Sequence, residues 1–247
     1  MGNTGDVVTR DASGIPKRRP SRAVIEPVAP VVDGGRFPAK AALGEPVRVV
    51  ADVFGEGHDA VDAALRWRHA PVGGSPGPWA ETPMTHEAND RWTASFTPEA
   101  LGRHQYEIVA WSDQVETWRH GTERKADAGV DVAVELVDGR RIVDQLAAAA
   151  RKAKPRFDDD VAALDRFADA LVEGDTSVLA DDAWARLSHR YLDRKPTAAS
   201  AKFDVDVDPE RARFSAWYEF FPRSNWTTTT TTAAATPDAG AHATLRD

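Results

Sequence analysis

The sequence predicts an immunoglobulin-like β-sandwich joined to an α-helical bundle. Three observations carry that reading. Residues 23–118 hold short segments whose apolar residues alternate with a period of two. Near residue 127 the apolar period lengthens to that of a helix. A short aromatic strand, RFSAWYEFFPRSNW at 213–226, then follows the helices.

The strand segments are AVIEPVAPVV, PVRVVADVF, DAALRWRHA, RWTASFT and HQYEIVAWS, each bounded by Gly, Pro, Asn or Asp. Alternation is visible in Val47, Val49 and Ala51, in Leu65, Trp67 and His69, in Trp92, Ala94 and Phe96, and in Tyr106, Ile108 and Ala110. Successive strand side chains point to opposite faces, so this pattern turns one face inward. Frequent turns between short segments indicate an antiparallel sandwich. VDGG at 32–35 and GEGHD at 55–59 supply turn chemistry.

Residues 127–208 are read as the helical bundle. VELVDGRRIVDQLAAAARKAK places Val134, Val137, Val143, Leu146 and Ala150 on one stripe, and Gly139 weakens its middle by up to about 1 kcal/mol relative to Ala. Pro155 opens a second helix, with Asp158, Asp159 and Asp160 complementing the positive end of its dipole. Val161, Leu164, Phe167, Ala168 and Leu171 form its apolar face, and Gly174 ends it. A third helix over about 176–193 shows Leu179, Ala183, Leu187 and Tyr191. Three amphipathic helices with short loops make a compact bundle.

The flanks differ in kind. Residues 1–22 are polar, with Lys17, Arg18, Arg19 and Arg22, and are expected to be a disordered arm. Residues 209–226 read as a strand apolar on both faces, as in a parallel sheet. Residues 227–247 are low in complexity, with six consecutive threonines.

Composition excludes several functions. The 247 residues carry a net charge of −8, which disfavours non-specific binding to a phosphate backbone. There is no cysteine, hence no disulfide framework, thiolate metal site or Cys nucleophile. The N-terminus has no apolar h-region and no run of about 18 apolar residues occurs, so a soluble cytoplasmic protein is expected.

Candidate chemistry is sparse. None of the seven histidines has metal-ligand spacing, and neither a dinucleotide fingerprint nor a phosphate-binding loop is present. Ser112-Asp113 and Ser188-His189 lack the context of a nucleophile elbow. Consecutive Asp158, Asp159 and Asp160 diverge around a helix, so they suit its dipole better than a metal. Glu219 has no second carboxylate with which to form a glycosidic pair. Among the tryptophans, Trp79 in the loop SPGPWAETP is the candidate for stacking on a sugar, followed by Trp118. No catalytic residue, metal ligand or cofactor is assigned.

Longer motifs then carry a resemblance. VDGGRFPAK (32–40), ADVFGEGHD (51–59), PM (83–84), NDRW (89–92), AWSDQVETW (110–118), AGVDVAVEL (128–136) and RFSAWYEFFPRS (213–224) resemble, in the same order, the N-terminal region of bacterial alpha-1,4-glucan:maltose-1-phosphate maltosyltransferases, of the alpha-amylase superfamily. The resemblance implies a β-sandwich (23–126) with an inserted helical bundle (127–208), followed by a (β/α)₈ barrel. It implies transfer of maltosyl units from maltose 1-phosphate to the non-reducing end of an α-1,4-glucan with retention of configuration, in a homodimer that binds neither nucleic acid nor membrane. WYEFFPRS then corresponds to the first barrel strand and AHATLRD to the start of the first barrel helix. WTTTTTTAAATP departs from the family pattern. The catalytic carboxylates belong to later barrel strands, so this chain alone is expected to be inactive and its aromatic strand orphaned. The alternative is a non-catalytic glucan-binding or dimerisation module.

Overall fold

A computed structural model describes residues 21–214 and residue 219. The expected arm, apart from Ser21 and Arg22, lies outside them. So do the tail and, from Ser215 on, all of the expected barrel strand except Glu219. The chain divides into two units between Glu210 and Arg211.

In the first unit, ten strands and four α-helices follow the chain. The strands are β1 (Ala23–Ala29), β2 (Ala39–Ala42), β3 (Val47–Gly55), β4 (Val61–His69), β5 (Ala80–Pro83), β6 (Thr85–Ala88), β7 (Arg91–Phe96) and β8 (Gly102–Ser112). The helices come next: α1 (Gln114–Asp127), α2 (Ala133–Lys152), α3 (Asp158–Glu173) and α4 (Ala183–Tyr191). Strands β9 (Thr197–Ala199) and β10 (Phe203–Asp208) close the unit. One sheet runs β1-β3-β7-β6, and a second runs β2-β10-β8-β4-β5 with β9 beside β8. All pairs are antiparallel except β10 with β2. The result is a sandwich of two sheets, one of them mixed, with helices against one side.

The central strand β8 explains why helices sit there. Tyr106, Ile108 and Ala110 are fully buried in the inter-sheet core with Val49, Val53, Leu65 and Val205. The residues between them face the other way, and Val109 and Trp111 belong to the helical core with Leu146, Phe167 and Trp184. Ala64 on β4 does the same. Alternation therefore identified the inner face correctly, but the outer face of these two strands is also buried. The unbroken apolar run Ile108–Trp111 is the mark of a strand covered on both sides.

Three expectations are corrected. The sandwich does not extend to residue 126, because α1 begins at Gln114. Its signal is the N-cap Asp113, whose Oδ1 accepts from the N–H groups of Val115 and Glu116 at 2.9 and 3.0 Å. The helical segment does not extend to 208, because β9 and β10 return to the sheet. In β10, Val205 and Val207 enter the core while Asp204 and Asp206 pair with Arg103 on β8. Finally, Glu210–Arg213 is a 3-10 turn, so the expected strand over 209–226 does not begin there.

The helices pack largely as their periodicity predicts. All five residues assigned to the face of α3 are buried, and Gly174 closes the helix at φ 78°. In α2 the stripe shifts at its start. Leu136 and Gly139 face inward, whereas Val134 and Val137 are exposed. The third expected helix breaks into a 3-10 turn, Ser177–Ala180, and α4. Phe167 stacks on Trp184 at 4.5 Å between centroids, worth about 1 kcal/mol beyond area burial.

In the second unit, Arg211–Phe214 and Glu219 are described, and Phe214 is exposed.

Candidate functional site

A cleft of about 1030 Å³ lies where the β3–β4 turn, the β6–β7 hairpin, the start of α1 and the face of α4 meet. Each wall has a local cause. The β3–β4 turn carries Gly57 at φ 67° and presents His58 and Asp59. Arg22 ties down this turn through Glu56 and Asp59 at 3.2 and 2.9 Å. The β6–β7 hairpin reverses at Asn89, which takes φ 52°, a conformation Asn tolerates. The Asn89 carbonyl is held by His86 Nε2, and the Asp90 carbonyl accepts from Val53 N–H at 2.7 Å. Trp92 is half-buried, with Nε1 donating to the Val53 carbonyl at 3.1 Å.

The far wall is ionic. His189 Nδ1 donates to Asp62 Oδ2 at 2.7 Å. The wholly buried Ser188 donates to Asp113 Oδ2 at 2.7 Å. Burial pushes the Asp113 carboxyl above its ordinary range. The Glu116 N–H and the Ser188 hydroxyl pull against that, while the charges of Asp62 and Glu116 add to it. Arg194 stacks over Trp111 at 4.1 Å and pairs with Glu81 at 2.6 Å. Burial by itself would raise Glu81, but hydrogen bonds and charge from Arg194 and Arg66 hold it below its ordinary value. Asp160 on α3 is 2% exposed and receives Arg186, Arg190 and Tyr191 from α4.

These pairings settle the candidate triads by geometry. Ser188 and His189 address different carboxylates, and Asp113 is spent on a cap and a hydroxyl. Asp160 is an ion-pair anchor, a role that the run of three aspartates hid behind the helix dipole. Among the described residues no group of three His, Cys, Asp or Glu is placed to hold a metal ion. No described helix is long and apolar enough to cross a membrane.

The two tryptophan candidates lie apart. Trp79 is half-buried, with the Arg68 guanidinium 4.2 Å from its ring centroid and Lys202 Nζ at 6.0 Å. Trp118 packs into the helices, donating to the Glu135 carbonyl at 2.7 Å and meeting Trp184 edge-on at 5.5 Å. Neither lines the cleft, and Trp92, which does, carries no sequence signal beyond strand alternation.

The described residues thus form a sandwich-and-helix module whose polar groups join its layers. The family model for alpha-1,4-glucan:maltose-1-phosphate maltosyltransferase, domain N/S, matches residues 21–209, and the chain belongs to that family. Relatives bearing the maltosyltransferase name include one from Chlorobaculum tepidum, 37% identical over 92% of this chain and 32% of its own length. One from Myxococcus xanthus is 39% identical over 90% of this chain and 32% of its own. A Streptomyces coelicolor relative, maltosyltransferase 2, is 40% identical over 83% of this chain and 31% of its own. The chain spans about a third of the length of these relatives.

Proposed function

We propose that this chain is the N/S region of a maltosyltransferase that moves maltosyl units from maltose 1-phosphate to the non-reducing end of α-1,4-glucans, in glycogen-type glucan biosynthesis. The match over 21–209 is the observation that carries this reading. The strands make an immunoglobulin-like sandwich with the helices inserted into it, and WYEFFPRS at 217–224 corresponds to the first barrel strand. The setting is the cytoplasm.

The 247 residues alone carry out no transfer. The carboxylates of the cleft's far wall are engaged in pairs and caps, and the chain matches only about a third of its relatives. Incubation with maltose 1-phosphate and an oligomaltoside should release no phosphate above a no-protein control; steady release overturns this.

Self-association belongs to the same reading, because Val130, Val134 and Val137 leave apolar surface exposed at the start of α2. Sedimentation at tens of micromolar should show a dimer, and monomer alone rejects it. A second reading, a non-catalytic glucan-binding module, is favoured by the position of Trp79 beside the exposed loop Val72–Pro76.

A further inference from the structure

We propose that the cleft walled by His58, Asn89, Asp90, Trp92 and His189 is a binding site for a neutral oligosaccharide, separate from Trp79. The glucan named as its ligand rests on the reading above.

The argument begins with charge. Six carboxylates line the cleft: Asp59, Asp62, Glu81, Asp90, Asp113 and Glu116. The guanidiniums lining it are Arg186, Arg190 and Arg194. Two of these are committed to Asp160 and the third to Glu81. An anionic sugar phosphate would therefore meet an excess of negative charge, and every guanidinium that could receive it is already shared with a carboxylate. Five of the six carboxylates are already engaged, and Asp90 by itself makes no cation site. Asp59 is bridged to Arg22, Asp62 to His189, Glu81 to Arg194 and Glu116 to Arg119, while Asp113 is buried on its cap.

What is left unspent suits hydroxyl groups. The His58 ring, the Asn89 amide, the Asp90 carboxylate and His189 Nε2 make no protein hydrogen bond among the described residues. Together they offer donors and acceptors at fixed places, with His189 held by Asp62 and Asn89 held by its turn. Trp92 adds an aromatic wall, tilted against His86 at 5.2 Å, against which the apolar face of a sugar ring can lie. An aromatic surface with a few pre-positioned polar groups is the usual composition of a ligand site, and this cleft lies near the upper end of the usual size range. Polar groups already exposed to water exchange it for sugar hydroxyls with little desolvation cost.

The test uses the whole 247-residue chain. Maltoheptaose is titrated calorimetrically and by tryptophan fluorescence, and maltose is compared with maltose 1-phosphate. Saturable binding is expected. Asn89→Gly with Asp90→Ala should weaken it about tenfold or more without moving the melting temperature, because Gly keeps the turn conformation. His58→Ala, in an exposed turn, should weaken it by a smaller factor and covers the case in which the double variant fails to fold. Maltose 1-phosphate should bind more weakly than maltose. The proposal is overturned if no saturation appears by about 10 mM, or if the double variant folds and binds unchanged. It is likewise overturned if Trp79→Ala abolishes binding, or if maltose 1-phosphate binds more tightly than maltose. None of these results touches the family reading, which stands on the match over 21–209 and fails only by its own assay.

Discussion

Gly139→Ala is expected to destabilise the protein by about 3 kcal/mol, although the same change in an exposed helix stabilises by about 1 kcal/mol. Gly139 sits in the middle of α2, facing α1. A Cβ placed there would lie 1.9 Å from Trp118 Cζ2 and within 2.6 Å of two further ring atoms. A terminal methyl group could swing aside, but this ring is rigid and doubly held, by Glu135 and by Trp184. Accommodating the methyl group means losing the indole hydrogen bond, or separating the two helices and opening gaps elsewhere in the core. Urea denaturation of the two proteins reads the difference directly. In a Trp118→Ala background the sign should reverse, since the obstacle is gone and only helix propensity remains. Equal destabilisation in both backgrounds would show that the close approach is not the cause.

Asp160→Ala should cost a similar amount, about 3 kcal/mol. Its carboxylate is buried and accepts from Arg190 and Tyr191, each at 2.6 Å, and from Arg186. Removing it strands the Tyr191 hydroxyl in the core and breaks the tie between α3 and α4. The figure sits at the lower end for a broken buried pair. The Arg186 and Arg190 side chains are 47% and 38% exposed, so water takes up part of what they lose. Tyr191→Phe should cost only about 1 kcal/mol, because the carboxylate keeps its two guanidiniums. Thermal melting compares the three proteins. An Asp160→Ala variant that melts within a degree of the parent would mean that α3 and α4 are held by apolar packing alone. In that case Phe167, Trp184 and Leu187 would be the residues to mutate.

Both results turn on residues whose type was plain and whose partners were not. The run of three aspartates reads as a helix start, and α3 does begin at Asp158. That the third aspartate is the buried one depends on α4 crossing it, and its partners lie 26 to 31 residues further on. Gly139 reads as a weak point in a helix. Its necessity arises from Trp118, on an α-helix that the alternating pattern concealed. The family resemblance, carried by long motifs between residues 32 and 136 and again at 213–224, was legible before any coordinate. The cleft was not, because its walls come from four separate parts of the chain.

Periodicity and caps are local, and so the sequence by itself determined β1, β3, β4, β7 and β8, the apolar face of α3 and the end of that helix at Gly174, while the short strands β2, β5, β6 and β9 carry too few alternating residues to be read. The N-cap of α1 and the alternation of β10 were just as local and stood in the sequence to be read. Only the tertiary structure decided that β8 and β4 are buried on both faces, that β10 runs parallel to β2, and which cations neutralise which carboxylates. A hydrogen-bond ladder or an ion pair is satisfied by any partner of suitable chemistry at the right distance. The choice among many such partners is made when the layers pack and bring distant segments together.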